Sequence, residues 1–281
     1  MAPRQPDRVV DPVGQRVRVR YAKRHRMRFA SHRDYQRALE RAIRRAGIPV
    51  AFSAGFSPHP RISYAGAAPT GMASEAEYLE IALAAALDPG LLRRRLDACL
   101  PDGLDVLEVV QAGPGSLVER LEASDWRVDL AGVDPTEAAR AVVVFLAADE
   151  VLVSRLTKNG TRTVDARRPV ILLGVDDTPD GVGPTDDSSS PACAILRLVV
   201  RHTIPAVRPD DVLSGLRRAA DLDLPVPATV TRMAQGPLDP DGRRVLDPFT
   251  PDRDLSPAAD GRWTAGCEQS RDVVGGDAGR T

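Results

Sequence analysis

Hydrophobic and polar positions alternate strictly in RVRVRYA (16–22), the period of a strand with one buried face. The period then changes. From Ser31 to about Ala46, Tyr35, Leu39, Ala42, Ile43 and Ala46 recur at helical spacing. SHRD (31–34) supplies a start signal, with Ser31 as N-cap and Asp34 at the third helical position; Gly47 and Pro49 supply the stop. PVAFSAG (49–55) and RISYAG (61–66) read as extended, on either side of a turn-rich SPHP. EYLEIALA (77–84) is a strand, DPGLLRRRLDACL (88–100) a short helix and LDVLEVVQA (104–112) a closing strand. The order is βαββαβ, the ferredoxin-like unit.

The same order recurs. DWRVDLA (125–131) is a strand and PTEAARAVVVFLAA (135–148) a helix. EVLVSRLT and TRTVDA (150–166) flank Lys158, Asn159 and Gly160, and Asn-Gly is a hairpin signal. PVILLGV (169–175) and CAILRLVVRHT (193–203) are apolar strands, PDDVLSGLRRAAD (209–221) a helix and ATVTRMAQ (228–235) a last strand. The expected fold class is α+β: two tandem ferredoxin-like subdomains with antiparallel sheets, over 15–113 and 124–236. The halves share element order and negligible sequence identity. Residues 1–14 read as a disordered leader, 176–192 as a flexible acidic insert, and 237–281 as a disordered, aperiodic tail.

Composition narrows the class. A 43% hydrophobic and 27% charged chain of 281 residues is ordinary for a globular protein. No apolar run approaches the roughly 18 residues of a membrane helix, and the first residues lack an apolar signal core. Cys99, Cys193 and Cys267 form no zinc, CxxC or iron–sulfur spacing. These features predict a reduced, cytoplasmic protein with no membrane partner, no cofactor and no metal site.

The net charge of −1 conceals segregation. Between Arg16 and Tyr64 stand thirteen Lys or Arg and two acids, Asp34 and Glu40, so the remainder carries −12. Seven of the eleven aromatics and three of the four histidines lie between Tyr21 and Tyr78. Separation on this scale is the footprint of an anionic partner, RNA above all.

Within that segment Arg33, Arg37, Arg41 and Arg45 make one helical stripe, which also fits a solvated outer face. With Val17 and Val19 facing the helices, Arg16, Arg18 and Arg20 point to the open face of the sheet, where an Arg18–Glu80 cross-strand pair is the plain alternative. GFSPHPRISYAGAAPTG (55–71) presents Phe56, His59, Arg61 and Tyr64 on a loop that could equally be a rigid connection. Arg28 adds to the cluster. Arg155, Lys158, Arg162, Arg167 and Arg168 form a smaller group on and after the hairpin. His25, His32 and His59 are the groups suited to acid–base chemistry on a phosphodiester; with Asp34, His32 and His59 are the catalytic candidates.

MRFASHRD (27–34), GFSPHP (55–60) and SEAEY (74–78) together resemble the radical-SAM-associated bacterial domain of unknown function. That family carries a Met-Arg-Phe-x-Ser-His-x-Asp start, a Gly-Phe-x-Pro-His-Pro centre and a Ser-Glu-x-Glu-Tyr end. The likeness is specific over about 55 residues and weaker to about residue 235, where KNGTRTVDARRPVI (158–171) is similar to a later block. It marks Ser31, Ser74, Glu75 and Glu77 as a motif pocket beside the basic residues. The domain is found free-standing, or fused behind a cobalamin-binding radical SAM enzyme, and free-standing genes lie near a ribonuclease of the E/G type. The resemblance implies a role in RNA processing, RNA modification or translation, with such an enzyme as partner. This sequence has no CxxxCxxC for a cluster of its own.

Three functions follow: an RNA-binding or substrate-presenting accessory protein, a metal-independent RNA-processing or RNA-modifying enzyme using His32 and His59, or a protein-interaction subunit.

Overall fold

The computed structural model describes residues 12–54, 56–157, 160–176 and 193–254. Its first half runs β1 (Gln15–Lys23), α1 (His32–Arg45), β2 (Ile62–Ala65), β3 (Ala73–Leu83), α2 (Pro89–Asp97) and β4 (Leu104–Gln111). The second runs β5 (Ala123–Ala131), α3 (Pro135–Ala147), β6 (Leu152–Thr157), β7 (Gly160–Asp165), β8 (Val170–Val175), β9 (Cys193–Arg201), α4 (Pro209–Ala220) and β10 (Thr229–Gly236). A four-residue helix, α5 (Thr250–Arg253), follows. The fold is mixed α+β with one largely antiparallel sheet ordered β4-β1-β3-β10-β5-β9-β8, and β2 added on β3. Among the described residues, strands β6 and β7 form a separate two-stranded sheet. No helix among the described residues is long and apolar enough to cross a membrane.

Local chemistry explains the elements that build the site. Ser31 caps α1: its Oγ accepts from the Asp34 N–H at 3.3 Å and its hydroxyl donates to the Asp34 carboxylate at 2.7 Å. The apolar positions Tyr35, Ala38, Leu39, Ala42 and Ile43 are buried, while Arg33, Arg37 and Arg41 on the opposite side are exposed. Val17, Val19 and Tyr21 of β1 join them in one core with Leu79, Ile81 and Leu83 of β3. A second core gathers Trp126, Val128, Leu130, Phe145 and Leu216.

Strand β3 is the hinge of the design. One edge pairs along its length with β1, from Gln15↔Leu83 to Lys23↔Ser74. The other edge is shared. Strand β2 takes Tyr78 to Ile81, and β10 takes Ala73 and Ser74 in a two-residue parallel contact. That contact joins the halves into a single sheet. The extended reading of 49–55 reduces to two isolated bridges, Val50↔Leu83 and Phe52↔Pro60, because β2 occupies the edge that a further strand would need.

Two boundaries differ from expectation. The Gly14 N–H already donates to Leu83 O at 2.9 Å, so pairing begins before residue 15; residues 1–11 lie outside the described ones. The predicted disordered tail is wrong over residues 237–254, which fold back across the sheet face opposite α1. Phe249, fully buried, packs edge-on against Tyr78 with ring centroids 5.1 Å apart. At the turn, a Cβ on Gly236 would lie 2.0 Å from Leu246 O, so only glycine allows this approach. Residues 255–281, and 177–192 of the predicted insert, lie outside the described residues.

The returning segment corrects the expectation of an open arginine face. Arg18 is 1% exposed. Its Nη1 donates to both Asp252 oxygens at 2.7 and 2.8 Å, its Nε to Glu80 at 3.2 Å and its Nη2 to Gly115 O at 2.6 Å. It is therefore sealed from any RNA. Asp252→Ala removes the carboxylate shared by Arg18 and Arg120 but leaves Arg18 its other acceptors. The expected loss is about 1.5–3 kcal/mol in urea denaturation. An unchanged midpoint would mean that the segment does not hold to the sheet.

Candidate functional site

The start of α1, the end of β1 and the start of β3 bring part of the sequence motif together. His32 is the first residue of α1. Its ring lies edge-on to Tyr35 and Tyr64, with centroids 4.7 and 5.5 Å away. Nδ1 is hydrogen-bonded to the Tyr35 hydroxyl, and Nε2 is 2.7 Å from the Gln36 amide nitrogen. With that amide as donor, Nε2 accepts, and Nδ1 carries the proton. Desolvation lowers the His32 pKa, and nearby Lys23 lowers it further against an opposing pull from Glu77. Burial pushes the hydroxyl pKa values of Tyr21, Tyr35 and Tyr64 upward, so all three stay neutral. The Tyr64 oxygen is buried without a hydrogen-bond partner.

Beside this aromatic group lies a buried ionic row. Lys23, Ser74 and Arg232 are register partners across β1, β3 and β10. Lys23, Glu77 and Arg232 are at most 3% exposed. Glu77 accepts from the Ala68 N–H at 3.2 Å and from Arg232 Nη2. Arg232 Nε donates to Ser74 Oγ at 3.2 Å, and Lys23 Nζ donates to Ala68 O at 3.1 Å and Pro69 O at 3.3 Å. Burial lowers the Lys23 pKa, opposed by Glu77 and aided by Arg232. Removing such groups from water costs several kcal/mol per ion before pairing offsets it. The row fixes the loop 66–71 against the β3–β10 junction.

Across Arg232 a cleft of about 340 Å³ opens between the halves. His202, past the end of β9, places Nδ1 2.8 Å from Leu121 O and Nε2 2.7 Å from Ser124 Oγ. The carbonyl fixes the proton on Nδ1, so Ser124 donates to Nε2. Desolvation, aided by Arg232, lowers the His202 pKa against the raising effect of the Leu121 carbonyl. His32 and His202 thus both resist protonation in the folded state. Unfolded histidines take up protons below about pH 6.5. Stability is then full above that pH and is lost as pH falls through the lowered folded values. Melting temperature is expected to drop between pH 7.5 and 5.5, and less in His32→Gln/His202→Gln. An equal drop in both proteins would refute this assignment.

The other predicted residues separate into three groups. Asp34 is an exposed cap whose pKa is lowered chiefly by the Ser31 hydrogen bond. Glu75 is tied to Arg24 at Nε, 2.6 Å. His59 is exposed; its N–H donates to Ser53 Oγ at 3.0 Å and its carbonyl accepts from the Ser53 N–H at 2.9 Å. It makes no hydrogen bond or ring contact with His32 or Asp34, so the structure gives no acid–base pair of His32 with His59.

Exposed cations form the second group. The side chains of Arg33, Arg37, Arg41 and Arg61 are exposed and make no hydrogen bond or ion pair among the described residues. Arg28 lies 4.6 Å over the Phe29 ring. Phe29, Phe52 and Phe56 are exposed, Phe56 to 71%. On the hairpin, Arg162 is exposed opposite Arg155, whose Nη1 donates to Asp211 at 2.6 Å. Lys158 lies outside the described residues. The third group was missed in sequence: Lys23, Arg232, Ser124 and His202. Lys23 is one of thirteen similar cations, and Ser124 and His202 are 78 residues apart. No group of three or more metal-ligating side chains is present among the described residues.

Comparison with known proteins adds one family and little else. No curated protein matches the chain. Solved structures similar to it include DyPB from Rhodococcus jostii RHA1, at 13% identity over 81% of this chain and 93% of that one, with a TM-score of 0.20. Another is the encapsulated DyP-type peroxidase from Mycobacterium smegmatis, at 11% identity over 83% and 94%, also with a TM-score of 0.20. Likeness at that TM-score supports no inference. The model of an uncharacterized protein family conserved in bacteria, DUF2344, matches residues 16–209, more than half of the sequence, and the chain belongs to that family.

Proposed function

We propose that this protein is an RNA-binding, substrate-presenting accessory protein built on two tandem ferredoxin-like subdomains. Each half supports the fold reading: β4-β1-β3-β2 and β10-β5-β9-β8 have the same strand order, with the β6–β7 hairpin inserted in the second.

One observation carries the functional reading: the exposed side chains of Arg33, Arg37 and Arg41 make no hydrogen bond or ion pair among the described residues, and Asp34 alone among nearby acids lies under the Coulombic pull of Arg33 and Arg37. Cations spaced four residues apart repel by tenths of a kcal/mol per pair. A phosphate backbone laid along Arg33, Arg37 and Arg41 relieves that repulsion and releases counterions. Exposed Phe52 and Phe56 offer faces for unpaired bases. The radical-SAM resemblance supports a partner enzyme, of that class or a ribonuclease of the E/G type, acting on the presented RNA.

The test is a salt titration of binding to a single-stranded RNA. Affinity is expected to fall linearly in log–log form, with a slope of roughly −0.7 per phosphate contacted. A protein that shifts no RNA at low salt overturns the reading, and the basic face then belongs to an acidic protein partner.

A further inference from the structure

We propose that the cleft between the halves, centred on Arg232, Arg208, Ser124 and His202, is a binding site for a phosphate monoester of a small organic molecule. Its volume of about 340 Å³ falls within the range of small-ligand sites. No carboxylate lines it, while two guanidiniums do.

The two arginines differ in a useful way. Arg232 is held from behind: Nε is bonded to Ser74 and Nη2 to Glu77, and Nη1 makes no hydrogen bond among the described residues. It is also stacked 5.4 Å from the Trp126 ring centroid. A guanidinium fixed on two sides, with its third nitrogen free at a cleft wall, is preorganised for an oxyanion. Arg208 is exposed at the cleft mouth; its guanidinium makes no ion pair among the described residues beyond a Coulombic pull on Asp210, and it can swing toward a bound anion. Arg208 and Pro209 stand at the start of the twelve-residue α4, whose end is already satisfied by Asp211, the acceptor of the Arg208 N–H at 2.8 Å, so the cleft's positive charge comes from the two guanidiniums.

Ser124 and His202 complete the polar wall. Ser124 donates to His202 at the cleft wall. Protonation of His202 beside a bound dianion would reverse that bond and free the hydroxyl hydrogen for the ligand. The remaining walls suit a compact organic group: Ala67 and Pro69 on one side, Val200, Val207 and Pro209 on another. Two converging guanidiniums and a hydroxyl favour a phosphate dianion over a carboxylate, which has two oxygens to share among them.

The site uses none of the α1 arginines, so its fate is separable from that of the RNA reading. Calorimetric titration of the full chain with adenosine 5′-monophosphate, and with inorganic phosphate, tests it. Both are expected to bind, the nucleotide more tightly because it also fills the apolar walls. Arg208→Gln is expected to weaken the nucleotide by about tenfold or more, as the loss of a charge-assisted contact predicts. Ser124→Ala weakens it less, and Arg37→Glu/Arg41→Glu leaves it unchanged. Absence of binding by both probes at about 10 mM, roughly tenfold above a millimolar Kd, overturns the proposal. So does binding that survives Arg208→Gln and Ser124→Ala intact, or that disappears in the α1 variant.

Discussion

Glu77→Ala is expected to lower the stability of the protein by about 3–5 kcal/mol, the cost of leaving a buried ion without its partner. Arg232 is 3% exposed, and Glu77 is the carboxylate it touches. Arginine does not shed its proton at accessible pH, so the orphaned charge stays in the interior. Lys23 responds differently. Its pKa is already lowered by burial and held up by Glu77, so loss of the carboxylate lets it deprotonate and removes part of the strain. The Ala68 N–H also loses its acceptor, which frees the loop 66–71. Against a typical stability of about 5–15 kcal/mol, the loss is a large fraction. Glu77→Gln keeps an acceptor oxygen for Arg232 and Ala68 and is expected to fall between wild type and Glu77→Ala. Urea midpoints decide. A Glu77→Ala midpoint within about 1 kcal/mol of wild type, the scale of an average substitution, would show that the row is not the clamp between the halves.

Much of the first half was legible because its signals are local. Val17, Val19 and Tyr21 alternate with Arg16, Arg18 and Arg20, which sets the faces of β1. Ser31 and Asp34 mark the start of α1, and the Arg18↔Glu80 register followed from placing β1 beside β3. The cover over the sheet was illegible. Residues 237–254 hold on through scattered anchors, chiefly buried Phe249 and Asp252 with the Arg253–Glu108 pair, and a four-residue helix has no period to detect. The clamp was half visible. Ser74 and Glu77 stood out in the motif, but Arg232 reaches them from 155 or more positions away through a two-residue strand contact. Nothing around Lys23 distinguishes a lysine that bonds two loop carbonyls from the solvated cations beside it. His59 was the reverse case: its motif is conspicuous, yet the loop holds it by its backbone and leaves the ring exposed.

Reversing two charges on α1, in Arg37→Glu/Arg41→Glu, is expected to weaken RNA binding by about a hundredfold at low salt, taking roughly tenfold per lost contact. The log–log salt slope should become shallower by roughly 1.4 for two single-strand phosphates. Both side chains are exposed and make no hydrogen bond or ion pair among the described residues, so the main protein interaction lost is the Coulombic attraction of Arg37 to Asp34. Glutamate is a good helix former. The acid at 37 gains attraction to Arg33 and the acid at 41 to Arg45, worth a few tenths of a kcal/mol per pair, which offsets the repulsion of the acid at 37 by Asp34 and by its neighbour at 41. Stability should therefore hold or rise slightly while affinity falls. That opposition of signs separates loss of an interface from loss of the fold, which would lower both together. It also separates the stripe from an ordinary solvated helix face, for which both substitutions leave affinity and slope where they were. A wild-type affinity and slope in the double variant would therefore remove α1 from the RNA interface.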